Sequence, residues 1–107
     1  LIKFLYLKYV YQPYCIFVYM NAKDYILLML MKAKQHHLIP STCHEFEFTV
    51  GKTSNGDIIC LGLEFWAGNT RFNEDDTPIK PTNVDIPSEL QLTYNYYAAC
   101  IIKEQYK

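Results

Sequence analysis

Three glutamates and a tryptophan are the side chains of this chain best placed to do chemistry together. Glu45 and Glu47 alternate along one predicted strand, and Glu64 and Trp66 alternate along the next. Side chains two apart in a strand share a face, so this surface could bind a cation, an amine or a basic partner. A carboxylate pair could also act as general acid and base if one were held protonated. The simpler interpretation is a solvated outer face whose repulsion is relieved by Lys52 or by the basic end of the first helix.

The segment 67–87 is rich in Gly, Asn, Asp, Thr and Pro and predicts a long loop. A short edge strand over 69–73 or 82–86 is compatible with its three prolines. Structureless loops of this length are uncommon in compact domains unless they have a function, so the loop is a candidate contact surface. It contributes Arg71 and Asp75 to the predicted binding set. The predicted binding residues are therefore Glu45, Glu47, Glu64, Trp66, Arg71 and Asp75.

Four side chains able to bind a soft metal lie within nine residues: His36, His37, Cys43 and His44. Zinc sites use four N or S ligands, usually as two close pairs on separate turns. This spacing matches no zinc pattern, and Cys43 and His44, as neighbours on a strand, would point to opposite faces. We therefore predict no metal and no cofactor, with these four residues as the weak candidates.

No catalytic motif is present. The sequence contains no P-loop, GxGxxG, GxSxG or HExxH pattern, and Cys43 has no recognisable base or oxyanion hole of the kind that a cysteine nucleophile needs. We therefore predict no catalytic residues and, as the main interpretation, a protein that is not an enzyme. A small enzyme that uses the clustered carboxylates is the alternative.

The distribution of charge disfavours nucleic acid as a partner. Residues 1–37 carry five lysines against one acid, whereas residues 43–89 carry nine acids against three basic residues. A nucleic-acid binder usually presents a basic patch that neutralises several phosphates. Here the segment expected to form the sheet is acidic.

The strongest local signal is a β-hairpin over residues 44–66 that turns at Asn55-Gly56. Asn-Gly is typical of a two-residue type I′ turn, and that turn makes the numbers of facing residues sum to 111. Each expected pair on one face is then apolar on both strands, and a slip of one residue would place the two apolar sets on opposite faces. On the other face, Glu47 is expected opposite Glu64. The expected apolar pairs are Val50/Leu61, Phe48/Leu63 and Phe46/Phe65.

A first helix is predicted from Asn21, as N-cap, to about His37. The Asn21 side chain can accept an amide hydrogen of the first turn, and Asp24 at the third position favours the helix dipole. Apolar residues recur at helical spacing, and Pro40 prevents continuation.

The C-terminal segment allows two predictions. In residues 89–97 apolar and polar side chains alternate, as they do in a strand. However, an apolar stripe at helical spacing and the capping-box pattern Ser88-x-x-Gln91 favour a helix from 89 to about 105. We predict the helix.

The first nineteen residues have a different composition from the rest. Fifteen of the nineteen are apolar or aromatic, and they hold five of the ten tyrosines. They lack the aliphatic run and small-residue cleavage site of a signal peptide and are interrupted too often for a membrane span. We interpret 1–19 as an apolar extension outside the authentic protein, with a start at Met20. A strand or helix that packs on the sheet is the alternative.

The predicted fold class is α+β: a helix, an antiparallel β-hairpin with a third short strand allowed, and a C-terminal helix packed on one face of the sheet. Residues 20–107 form the single domain. The order resembles that of a double-stranded-RNA-binding domain. That resemblance implies RNA binding through a Gly-rich, Lys-rich start of the final helix, but PTNVDIPSEL stands there and is acidic.

Taken together, these features predict a small cytoplasmic binding or accessory protein whose partner is another protein or a second copy of itself. Membrane binding is disfavoured unless residues 1–19 belong to the protein and are exposed. The widely spaced cysteines are expected to be free, mostly buried thiols; they are Cys15, Cys43, Cys60 and Cys100.

Overall fold

The fold is α+β, as predicted. The computed structural model describes residues 2–6 and 21–105 of the 107. A four-stranded antiparallel sheet has the order β1-β2-β3-β4, and two helices pack on one of its faces. The elements are β1 (Ile2–Tyr6), α1 (Ala22–Gln35), β2 (Phe46–Lys52), β3 (Ile58–Phe65), β4 (Thr82–Val84) and α2 (Gln91–Gln105), with single 3-10 turns at Ala67–Asn69 and Ser88–Leu90.

Both ends of α1 are capped by local interactions. The Asn21 side chain accepts a hydrogen bond from the Asp24 amide, and the Asp24 carboxylate accepts one from the Asn21 amide, which completes a capping box. At the other end His37 adopts a left-handed conformation, φ 59°. Its amide donates to Lys34 and that of Leu38 donates to Ala33, as in a Schellman motif. The prediction for this helix is confirmed.

The predicted hairpin register is correct near its open end and wrong near its turn. Phe46 faces Phe65, Phe48 faces Leu63 and Glu47 faces Glu64, as expected. A β-bulge between Thr49 and Val50 then shifts the register by one residue. The predicted pair Val50/Leu61 does not form: Val50 faces Cys60, and Leu61 is 46 % exposed.

The bulge compensates for a turn one residue longer than predicted. The Thr53 amide donates to the Asp57 carbonyl and the Gly56 amide donates to the Thr53 carbonyl, so the loop comprises residues 54–56. Gly56 has φ 88°, whereas a type I′ turn would also require positive φ at Asn55. The prediction of a two-residue type I′ turn is therefore wrong. A type I turn followed by a left-handed glycine is the usual three-residue alternative.

The C-terminal segment is helical, and the strand alternative is wrong. Leu90, Tyr94, Ala98 and Ile101 lie in the core, at the spacing of one helix face. The predicted capping box does not form. Gln91 instead donates its side-chain amide to the Cys60 carbonyl, at 2.7 Å, and so ties the start of α2 to β3.

The core lies between the two helices and the helix-facing side of the sheet. Phe46, Phe48 and Leu63 of the sheet are at most 1 % exposed, and they pack in one cluster with Ile26 and Met29 of α1. The hydroxyl of buried Tyr94 donates to the Met29 carbonyl at 2.9 Å and so links α2 to α1.

The strands at the two edges of the sheet also bear on the predictions. The third short strand is observed at Thr82–Val84, paired with β3. At the other edge Ile2–Tyr6 pairs with β2. These five residues therefore form a strand of the sheet, which was the alternative expected for the N-terminal segment. Residues 7–20 lie outside the described residues, and the start at Met20 stays a prediction. Within 2–6 and 21–105 no helix has the length and apolar character needed to cross a membrane.

Replacing Gly56 tests the turn. Gly56→Ala is expected to lower the free energy of unfolding by about 1 kcal/mol because φ is positive there. A Cβ would meet nothing closer than the Lys52 Cε at 3.9 Å, so crowding adds no cost. Asn55→Ala is the matched control and should cost only a few tenths of a kcal/mol, measured by urea unfolding. Equal losses would contradict the three-residue turn.

Candidate functional site

The carboxylate face of the hairpin is covered, not solvated. Glu45, Glu47 and Trp66 are 7 %, 6 % and 6 % exposed. The loop after β3 folds back over this face, and the indole Nε1 of Trp66 donates to the Ile79 carbonyl at 2.9 Å. The expectation of a solvated outer face is wrong for these three residues.

Arg71 forms ion pairs with two carboxylates of this face. Its Nε lies 3.2 Å from Oε2 of Glu45, and its Nη1 lies 3.5 Å from Oε2 of Glu47. The guanidinium carbon lies 3.7 Å from the centroid of the Trp66 ring, in cation–π geometry. Nη2 also donates to the Phe46 carbonyl at 3.4 Å. Arg71 therefore relieves the repulsion that sequence analysis assigned to Lys52 or to α1.

Asn69 holds the loop that carries Arg71. It has φ 55°, a conformation that Asn tolerates better than most residues. Its Oδ1 accepts hydrogen bonds from the amides of His44 and Glu45, at 2.7 and 3.1 Å, and its Nδ2 donates to the Thr42 carbonyl. Sequence reasoning missed Asn69. The Gly68-Asn69 dipeptide signals a turn, but it does not reveal which backbone the side chain will bind.

Glu64 lies at the margin of this cluster. It faces Glu47 on β2 and Asn83 on β4, and it borders a shallow groove of about 190 Å³ between β3 and β4. The groove exists partly because Gly62 has no side chain: a Cβ there would lie 3.2 Å from the Val84 carbonyl oxygen. Glu64 is therefore a predicted carboxylate that lies next to an open cavity.

Asp75 is not brought into the cluster. It belongs to a tight turn closed by the hydrogen bond from the Asn73 amide to the Thr77 carbonyl. Its carboxylate accepts hydrogen bonds from the Thr77 hydroxyl, at 2.6 Å, and from the Thr77 amide. These bonds lower the pKa of Asp75.

The weak metal candidates do not converge. His36 and His37 are exposed at the end of α1, and His44 is half-buried. Cys43 is buried, with Sγ 3.6 Å from the Glu45 carbonyl oxygen and 3.7 Å from that of Trp66. Among the residues that the structure describes, no three His, Cys, Asp or Glu side chains are placed to share a metal ion.

The thiols of the described chain are free, and the two buried ones are poorly suited to nucleophilic attack. Cys43 and Cys60 are buried, and Cys100 is half-buried. Burial raises the pKa of the Cys43 thiol and raises that of Cys60 to about 12. Since the thiolate is the nucleophile, both residues are structural in character.

A second surface, which sequence reasoning missed, lies on α2. Leu92 is 82 % exposed and Tyr96 is 56 % exposed. They are four residues apart and so lie on one side of the helix. The side of α2 with Gln91 and Asn95 is bonded to Cys60 of β3. We call the open side the α2 outer face; it comprises Leu92, Tyr96, Ala99 and Lys103 of α2, together with Glu89 of the 3-10 turn that runs into the helix.

The sequence contains a signal for the α2 outer face in the distribution of apolar residues around the helix. α2 has apolar residues around nearly its whole circumference, and a helix of this kind is normally buried on all sides. In the sequence, Leu92 and Tyr96 also fit the alternation of a strand over residues 89–97, which obscures them as an exposed helical pair.

Comparisons with protein-family models, with curated proteins and with solved structures found no match for this chain.

Removing the cation tests the covered cluster. Arg71→Ala is expected to lower the free energy of unfolding by about 3–5 kcal/mol, because it removes the ion pairs that Arg71 makes with two carboxylates that are less than a tenth exposed. Adding Glu45→Gln and Glu47→Gln to Arg71→Ala should recover at least half of that loss. Urea unfolding monitored by circular dichroism measures both effects. A loss below about 1 kcal/mol, the range of an exposed ion pair, would contradict the assignment.

Alkylation tests the state of the thiols. In the native protein near pH 8, iodoacetamide should modify Cys100 first, Cys43 more slowly and Cys60 least, since burial disfavours the thiolate. Peptide mapping by mass spectrometry gives the order, and full modification in urea is the control. Rapid native labelling of Cys60 would contradict its burial.

Proposed function

We propose that this chain is a cytoplasmic protein-binding domain that acts through protein–protein contact and catalyses no reaction. The observation that carries the proposal is the exposure of Leu92 and Tyr96 on the α2 outer face. Large apolar and aromatic side chains held on a rigid element are the usual anchors of protein interfaces. The free thiols of Cys43, Cys60 and Cys100 support a reducing compartment.

The packing of α2 supports this location. Gln91 and Asn95 hold one side of the helix against β3, and Tyr97 contacts Tyr25 of α1, with ring centroids 6.1 Å apart. The α2 outer face is therefore presented on a helix that is fixed on its other sides. A partner would bind it with little loss of conformational entropy in this domain.

The predicted carboxylate set takes a different role in this proposal. Glu45, Glu47 and Trp66 form the support of the 67–87 loop, with Arg71 as their counter-ion. A partner could reach Glu64 and Asp75 without unfolding the loop, whereas contact with the other four would require the loop to open.

An enzyme built on the carboxylates has weaker support. A general acid or base must lie within hydrogen-bond reach of the substrate, and the oxygens of Glu45 and Glu47 lie under the loop beside Arg71. Glu64 beside the groove is the remaining candidate of that set.

RNA binding is favoured by topology and opposed by charge. The order α1, β2, β3, β4, α2, with both helices on one face of the sheet, keeps the resemblance to a double-stranded-RNA-binding domain. The segment before α2, however, exposes Asp85 and Glu89 where phosphates would lie. Retention on heparin that weakens with salt would favour RNA over the proposed function.

Replacing Leu92 tests the proposed contact. Leu92→Asp is expected to change the free energy of unfolding by less than about 0.5 kcal/mol, because the side chain is mostly exposed. The same variant should lose at least about tenfold in affinity for the partner that wild-type protein captures from an extract of its source, measured by titration on an immobilised chain.

Phe72→Asp is the matched control. Phe72 is also a large exposed apolar residue, but it lies in the 67–87 loop and not on α2. It should keep wild-type affinity. Loss with Phe72→Asp and retention with Leu92→Asp would place the contact on the loop and reject the α2 outer face.

A further inference from the structure

We infer that the α2 outer face binds the same face of a second copy of this chain, with the two α2 helices antiparallel and Tyr96 at the centre. The inference rests on the proposed function and specifies its partner. It is carried by the position of two exposed charges, Glu89 and Lys103, on either side of the exposed apolar pair Leu92 and Tyr96.

The spacing of the charges is what makes the face self-complementary. Glu89 and Lys103 are each seven positions from Tyr96. Fourteen residues make about four helical turns, and the 3-10 turn that contains Glu89 alters this only slightly. Both charges therefore lie on nearly the same side as Tyr96, each about 10 Å from it along the axis. In an antiparallel pair centred on Tyr96, Glu89 of each copy therefore lies beside Lys103 of the other.

The charges also select the direction of pairing. A parallel arrangement would place Glu89 beside Glu89 and Lys103 beside Lys103, and like charges in contact are unfavourable. The antiparallel arrangement has a twofold axis, so each contact occurs twice. Two ion pairs would then flank the apolar centre.

The apolar centre fits the same arrangement. With Tyr96 opposite Tyr96, Leu92 of one copy lies opposite Cys100 of the other and beside its Ala99. Ala99 and Cys100 are small, so each Leu92 has space between the helices. Helices with small residues at their contact can approach to the 8–10 Å typical of packed helices. An interface of this size, one helix with its flanks, predicts an equilibrium that depends on protein concentration.

The groove beside Glu64 and the other exposed apolar residues give weaker support for a binding site. The groove beside Glu64 has a volume of only about 190 Å³ and is lined by two carboxylates, those of Glu64 and Asp85. Phe72 and Leu61 are single exposed apolar residues, on a loop and at the bulge.

The test reverses the charge at Glu89 in one variant and at Lys103 in another, and then mixes the two variants. Sedimentation velocity of the full chain over a range of concentrations should show a monomer–dimer equilibrium. Glu89→Lys alone and Lys103→Glu alone should each weaken the dimer by about tenfold or more, because each turns two ion pairs into two repulsions. An equimolar mixture of the two variants should dimerise at least as well as wild type, since all four facing charges are then opposite in sign.

The controls are Glu74→Lys and Lys80→Glu. Both residues are exposed in the 67–87 loop, and the substitutions change the net charge by the same amounts as the test pair. They should leave the dimer unchanged, alone and mixed. Circular dichroism and urea unfolding confirm that every variant is folded.

Three results overturn the inference: a wild-type chain that stays monomeric at all concentrations, single reversals that dimerise like wild type, or a mixture that stays monomeric. Failure here is distinguishable from failure of the proposed function. If the chain is monomeric but Leu92→Asp still loses a captured partner, the surface stands and the second copy is rejected. If the chain dimerises and Leu92→Asp changes neither the dimer nor the capture of a partner, both proposals are rejected.

Discussion

The ion pairs of Arg71 with Glu45 and Glu47 are the interaction on which this side of the sheet depends. Two carboxylates that are less than a tenth exposed would be costly without a counter-ion. The guanidinium contacts both carboxylates and the face of Trp66, so this side chain of the loop contributes positive charge where two acidic strand positions are buried.

This constraint gives the sheet two faces that are stabilised differently. The helix-facing side is an apolar core, in which Phe46 and Phe48 are nearly inaccessible. The opposite side is ionic and is closed by the loop through Asn69 and Trp66. Both faces of β2 and β3 are occupied, and the two exposed apolar side chains that lie one helical turn apart in the described residues, Leu92 and Tyr96, are on a helix. The α2 outer face follows from how the rest of the domain is filled.

The hairpin shows which features a local sequence pattern predicts and which it does not. Alternating apolar residues placed Phe46 and Phe48 against the correct partners, because a slip would have exposed one strand's apolar set. The turn length was not determined by the same pattern. Asn-Gly fits both a two-residue and a three-residue loop, and the extra residue is absorbed by a bulge that leaves Leu61 outside the core. A pattern of alternation does not show where a bulge will form.

The sequence by itself determined the features that depend on neighbours along the chain. The N-cap at Asn21, the hairpin between two apolar strands, and the core stripe of α2 all follow from short-range rules. Only the tertiary structure decided that Arg71 would contact Glu45, 26 positions away, and that Leu92 would stay exposed. The physical reason is that a long loop can place its charges in many positions. The one that occurs depends on which buried groups lack a partner after the sheet and helices have packed.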